Sequence, residues 1–116
     1  MKISEIRDLL SAEVLCNEQM LDGEVHSACG SDMMSDVLAF VKDQAVLLTG
    51  LVNSQVIRTA EMMDMVCIVF VRSKKPTPEM IELAKDCGLV IMSSSLRMYD
   101  ACGRLYTNGL GGAAIC

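Results

Sequence analysis

Val66-Cys67-Ile68-Val69-Phe70-Val71 is an unbroken apolar run. A strand with one wet face would show a polar residue at every second position, so this run suits a strand covered on both sides. It ends in the basic turn Arg72-Ser73-Lys74-Lys75-Pro76. Two more runs of the same kind flank it. Ala45-Val46-Leu47-Leu48 closes on Thr49-Gly50, and Leu89-Val90-Ile91-Met92 closes on Ser93-Ser94-Ser95. Between the runs the apolar period lengthens to that of a helix. Residues 53–64 place Val56, Ile57, Ala60 and Met63 on one side. After Thr77, an N-cap, and Pro78, in the first helical position, Met80, Ile81, Leu83, Ala84 and Cys87 line a second helix that Gly88 stops. Doubly covered strands joined by amphipathic helices imply βαβ crossovers and a parallel sheet.

Outward from this centre, Ser31 is an expected cap for a helix with Asp32 in its first turn. Met33, Met34, Val37, Leu38 and Val41 form the expected apolar face of that helix. Residues 3–10 have helical spacing, 12–16 and 24–29 read as short strands, 17–23 as a polar loop, and 96–106 as the last helix. The fold class is therefore α/β, a single domain over residues 1–110 with a mostly parallel sheet flanked by helices. The glycine-rich tail, 111–116, is expected to be flexible.

Composition narrows the function. Ten Lys+Arg against 15 Asp+Glu leave a net charge of −5, which argues against a nucleic-acid groove. No apolar run approaches the roughly 18 residues of a membrane span, and the start of the chain lacks a secretion signal, so a cytoplasmic location is expected. None of the six cysteines pairs at metal-loop spacing and His26 is the sole histidine, so no metal or other cofactor is expected. In a reducing compartment the default thiol is a small buried hydrophobe. The ten methionines suit either an irregular core or an adaptable contact surface.

In an open parallel sheet, ligands sit beyond the carboxyl ends of the strands. The turns that meet there hold Ser31, Asp32 and Asp36; Thr49, Gly50 and Asn53; Arg72; and Ser94, Ser95 and Arg97. Each turn opens a helix whose first amides are free to meet an anion. Thr49 and Asn53 would supply hydrogen bonds, Ser94 and Ser95 would cap or bind, and Arg72 or Arg97 would counter charge. The bland alternative is that the small polar residues merely cap helices. Catalysis lacks a constellation, because a triad would need His26, which stands outside any motif. Gly50 belongs to neither a Walker loop nor a GxGxxG run. Cys29 is a candidate for a thiol lowered by a helix N-terminus, which with Cys102 keeps a redox sensor in view.

The order Gly30-Ser31-Asp32, Asp36-Val37-Leu38, Val46-Leu47-Leu48-Thr49-Gly50 and then the strand from Cys67 to Val71 resembles the DRTGG domain, over about residues 1–110. Leu51 stands where that pattern has a second glycine, and Met33 and Met34 occupy the stretch that carries its arginine. The resemblance implies an α/β regulatory module without catalytic activity, similar to part of some phosphotransacetylases. It is also similar to the module between nucleotide-binding CBS domains of certain inorganic pyrophosphatases, where it supports dimer formation. Stand-alone versions resemble those encoded beside iron-only hydrogenase and NADH-oxidising subunits in anaerobic bacteria.

The expectation is thus a non-enzymatic regulatory or assembly module, homodimeric, acting on a redox enzyme such as a hydrogenase or an NADH-oxidising complex. The alternatives are a sensor of an adenine nucleotide or other small anion at the strand ends, and a thiol redox sensor. Met33, Met34, Met62, Met63 and Met65 exceed the needs of one small core, which favours an interface.

Overall fold

A computed structural model describes residues 1–40 and 44–112. The elements run α1 (Ile3–Leu10), β1 (Glu13–Cys16), β2 (Ser27–Gly30), α2 (Met34–Phe40), β3 (Ala45–Thr49), α3 (Ser54–Met62), β4 (Cys67–Phe70), α4 (Pro78–Cys87), β5 (Val90–Ser93) and α5 (Met98–Thr107). The sheet order is β1-β5-β4-β3-β2. Strands β2 to β5 are parallel, with Ala28 opposite Val46, Val46 opposite Cys67, and Cys67 opposite Val90. Strand β1 closes the far edge antiparallel, with Glu13 opposite Ser93. The α/β class with a mostly parallel sheet is therefore the fold.

Every residue of β3, β4 and β5 is buried, as continuous apolar runs require. Alternate side chains feed two cores. Leu47, Ile68, Phe70 and Ile91 pack with Val37 of α2, Val56 and Ile57 of α3, and Met80 and Ala84 of α4. Val46, Leu48, Val69 and Met92 pack with Ile3, Ile6 and Leu10 of α1 and Ala101 and Leu105 of α5. The molecule is a three-layer sandwich, and full burial of each large side chain contributes about 1.5–3 kcal/mol. Two of the caps read from sequence are made: Thr77 Oγ1 accepts the Met80 amide at 3.2 Å and Gly88 has φ 71°. Asn53, singled out for the strand-end site, caps α3, its Oδ1 accepting the Val56 amide at 3.2 Å.

Four expectations are corrected. The strand expected over 24–29 is Ser27–Gly30, because Val25 donates to the Met1 carbonyl at 2.7 Å and His26 to that of Gln44 at 2.8 Å. Helix α2 begins at Met34, so Asp32 lies outside its first turn. Ser31 Oγ accepts the Met33 amide at 2.9 Å in a turn ahead of the helix. Its apolar face is also narrower, since Met34 and Val37 are buried whereas Met33 and Leu38 are exposed; Val41 lies outside the described residues. Helix α5 starts at Met98, because Ser94 Oγ takes the Leu96 amide at 3.2 Å and the Leu96 carbonyl takes the Arg72 amide at 2.8 Å.

The stretch expected as a polar loop over 17–23 contains one 3₁₀ turn, Glu18–Met20, anchored where Asn17 Nδ2 donates to the Leu89 carbonyl at 2.6 Å. Of the tail, the Gly111 carbonyl accepts the Ala28 amide at 2.9 Å; residues 113–116 lie outside the described residues.

Candidate functional site at the carboxyl edge of the sheet

Strand β4 hands the chain to α4 on one face, and β5 hands it to α5 on the other. The two exits diverge, and beyond them opens a depression of about 860 Å³. Three turns form its walls. Gly30, Ser31 and Asp32 come from the end of β2, Val71, Arg72 and Ser73 from the end of β4, and Ser95, Arg97, Met98 and Tyr99 from the start of α5.

The β2 turn is tied to its neighbour by a carboxylate. Asp32 Oδ1 accepts the Thr49 hydroxyl at 3.0 Å and the Gly50 amide at 2.7 Å, while Thr49 Oγ1 accepts the Leu51 amide at 3.1 Å. Arg72 Nη2 lies 4.0 Å from Asp32 Oδ2, with both side chains about half exposed (50% and 52%). Such a pair is worth about 0–1 kcal/mol, so it orients the guanidinium more than it stabilises the fold. Arg72 also lies across Gly50, where a Cβ would stand 3.0 Å from its Cζ and collide with Nη2. The β2 turn carries no cation of its own, with Met33 and Met34 after Asp32, and Arg72 brings one from the end of β4.

Arg72 and Ser73 both have φ 57°, a left-handed conformation that costs on the order of 1–3 kcal/mol per non-glycine residue. Their amides are fixed to the β5 turn, Arg72 donating to Leu96 and Ser73 to Ser94, each at 2.8 Å. The Ser94 hydroxyl in turn donates to the Leu10 carbonyl at 2.8 Å, and the Ser93 hydroxyl to that of Lys74 at 2.8 Å. The two basic turns thus form one braced unit. No side chain caps α5, so its first-turn amides stay open beside Arg97. The Arg97 guanidinium is exposed and makes no hydrogen bond or ion pair among the described residues.

Of the residues singled out from sequence, Ser31, Asp32, Arg72, Ser95 and Arg97 line the depression. Thr49 and Gly50 stand one hydrogen bond behind it, through Asp32. Asn53 caps α3, Ser94 is buried in bracing bonds, and Asp36 lies exposed on α2 away from the lining. Gly30 and Ser73 stand in the turns read from sequence but were given no role there, and sequence reasoning missed Val71, Met98 and Tyr99. A Cβ on Gly30 would stand 2.6 Å from Cys102 Sγ and 3.2 Å from Met98 Sδ, so glycine there lets α5 pack over the end of β2. Tyr99 could have been found from its place two residues beyond Arg97, in the first turn of the same helix.

The thiols are corrected too. Cys29 sits within β2, not at a helix N-terminus, and burial first, then Cys102 and Asp36, pushes its pKa up. Burial likewise raises Cys102 and, most of all, Cys67. The Cys87 thiol donates to Glu61 Oε2, and desolvation followed by that carboxylate pushes it up to about 11. These thiols are protonated at neutral pH. His26 precedes β2, at the opposite end of the sheet from the depression. Among the described residues no group of His, Cys, Asp and Glu is placed to hold a metal ion, and no helix is long and apolar enough to cross a membrane.

The fold has a solved counterpart. The CBS and DRTGG domains of the regulatory region of Clostridium perfringens pyrophosphatase, complexed with the activator diadenosine tetraphosphate, match with a TM-score of 0.71 at 18% identity over 90% of this chain. The present chain spans 45% of that one, and at this identity the likeness is one of fold. No curated protein sequence matches. The family model of the DRTGG domain matches residues 5–107, almost the whole chain, and the protein belongs to the DRTGG domain family.

Proposed function

We propose that this protein is a non-catalytic regulatory module that takes a small anionic ligand, an adenine nucleotide or another small anion, in the depression at the carboxyl edge of its sheet. The observation that carries this reading is the unpaired Arg97 guanidinium, set beside Arg72 and the uncapped start of α5 in a protein of net charge −5. An exposed guanidinium that pairs with no acid among the described residues, such as that of Arg97, is suited to an incoming anion, whereas Arg72 is shared with Asp32. The clostridial counterpart is itself a regulatory region held with an activator, diadenosine tetraphosphate. Ligand in the depression would change how the module, as a homodimer, meets a partner enzyme. Family resemblance makes that partner a redox enzyme such as a hydrogenase or an NADH-oxidising complex.

A second reading, a pure assembly module, draws support from large apolar side chains left in water. Met33 is 60% exposed, Met62 71% and Tyr106 72%, whereas Met34 and Met65 are core.

A thermal-shift screen against nucleotides, acyl phosphates and simple anions, with sedimentation on the same sample, separates the two. A ligand at a hundred times its dissociation constant stabilises by about 2.7 kcal/mol. A shift that disappears in Arg97→Ala supports the ligand-gated module. A stable dimer that shifts with nothing and co-purifies with a larger enzyme supports assembly.

A further inference from the structure

The depression is larger and less uniformly polar than a bare anion requires. Its volume of about 860 Å³ compares with a share of roughly 30 Å³ for one water in the liquid. Beside the two arginines its lining carries the Met98 thioether and the Tyr99 ring. Tyr99 is 88% exposed, the most exposed large apolar side chain among the described residues. It is the second residue of α5, so the ring stands in the same helical turn as the amides and guanidinium that would hold a phosphate. Asp32 adds a third requirement. Its carboxylate repels a bare polyanion, yet its Oδ2, which faces Arg72 Nη2 at 4.0 Å and lies outside the bonds that Oδ1 makes to Thr49 and Gly50, has a lone pair left for a hydroxyl donor. A planar ring, a hydroxylated linker and a phosphate together satisfy all three features.

We infer that the ligand is a nucleotide rather than a simple anion, with its phosphate on Arg97 and the start of α5, its ribose hydroxyls toward Asp32 and its base stacked on Tyr99. This rests on the reading of the depression as an anion site and adds the residue that selects the ligand class. Stacking on an aromatic ring tolerates any base, so Tyr99 distinguishes nucleotide from phosphate without choosing among bases.

Calorimetric titration of ADP and of pyrophosphate into the full chain tests it. The wild type is expected to bind ADP at least tenfold more tightly than pyrophosphate. Tyr99→Leu should weaken ADP by about 5- to 150-fold and leave pyrophosphate unchanged. Tyr99→Phe should keep ADP binding, and Arg97→Gln should weaken both probes. Equal affinity for ADP and pyrophosphate, or a Tyr99→Leu variant that binds ADP as the wild type does, overturns the base-stacking role while the anion site stands. Failure of both probes to bind the wild type overturns the site itself.

Discussion

The Asp32 carboxylate receives the Gly50 amide at 2.7 Å, joining the end of β2 to the end of β3 behind the wall of the depression. The same oxygen takes the Thr49 hydroxyl, so one side chain satisfies donors on two consecutive residues. Thr49 is fully buried, and its hydroxyl has no water to fall back on.

Replacing Asp32 with Ala would leave those donors without their acceptor. The expected cost is about 1–3 kcal/mol, the penalty for an unsatisfied buried polar group. Urea unfolding at neutral pH reads it as a lower midpoint at unchanged slope. An unshifted midpoint would show that the carboxylate serves the ligand and not the fold.

Gly50→Ala should behave in the opposite way. The added Cβ meets the guanidinium end of Arg72, which is half exposed and free to swing aside. Stability is expected to change by less than about 1 kcal/mol. Affinity for pyrophosphate should fall, because Arg72 is displaced from the depression. A large loss of stability with unchanged affinity would place the importance of Gly50 in its backbone instead.

Ser94→Ala removes the bonds that brace the β5 turn, a donation to the Leu10 carbonyl at 2.8 Å and an acceptance from the Leu96 amide at 3.2 Å. Ser94 is 1% exposed, and a loss of about 1–3 kcal/mol is expected. Hydrogen exchange should show the C-terminal end of α1 and the turn before α5 opening more readily. Protection unchanged at Leu96 would contradict the bracing role.

Alkaline pH should weaken the fold through its thiols. The folded pKa of Cys87 lies above the ordinary 9.0, at about 11, so the folded state favours the protonated thiol. That stabilisation is complete below pH 9 and is lost as pH rises through 11. The difference in urea midpoint between the wild type and Cys87→Ser should therefore shrink between pH 8 and pH 11. Glu61→Gln should narrow the window by removing the carboxylate that repels the thiolate. A difference that grows with pH would reverse the sign of the argument.

The order of strands and helices, the class of fold and both caps of α4 were legible in the chain, because their causes are local. The apolar run from Val66 to Val71 requires cover on both faces wherever it lies. Thr77, Pro78 and Gly88 act on backbone within a turn of themselves. The candidate turns were legible as a group, since the carboxyl ends of parallel strands must share one edge.

What the residues could not reveal by themselves depended on partners distant in sequence. Asp32 reads as a helix-dipole carboxylate until the pairing of Gly30 with Leu48 carries it to Thr49 and Gly50. Arg72 reads as a cation that counters charge at the strand ends, but only the pairing of Thr49 with Phe70 lays it across Gly50. The four-residue strand β1 is too short to announce its antiparallel direction, which its edge position beside β5 decides. Tyr99 lies beside the arginines because α5 leaves β5 on the face opposite α4. Local sequence governs backbone choices within a few residues; the register of the sheet determines which turns meet, and the site is made where they do.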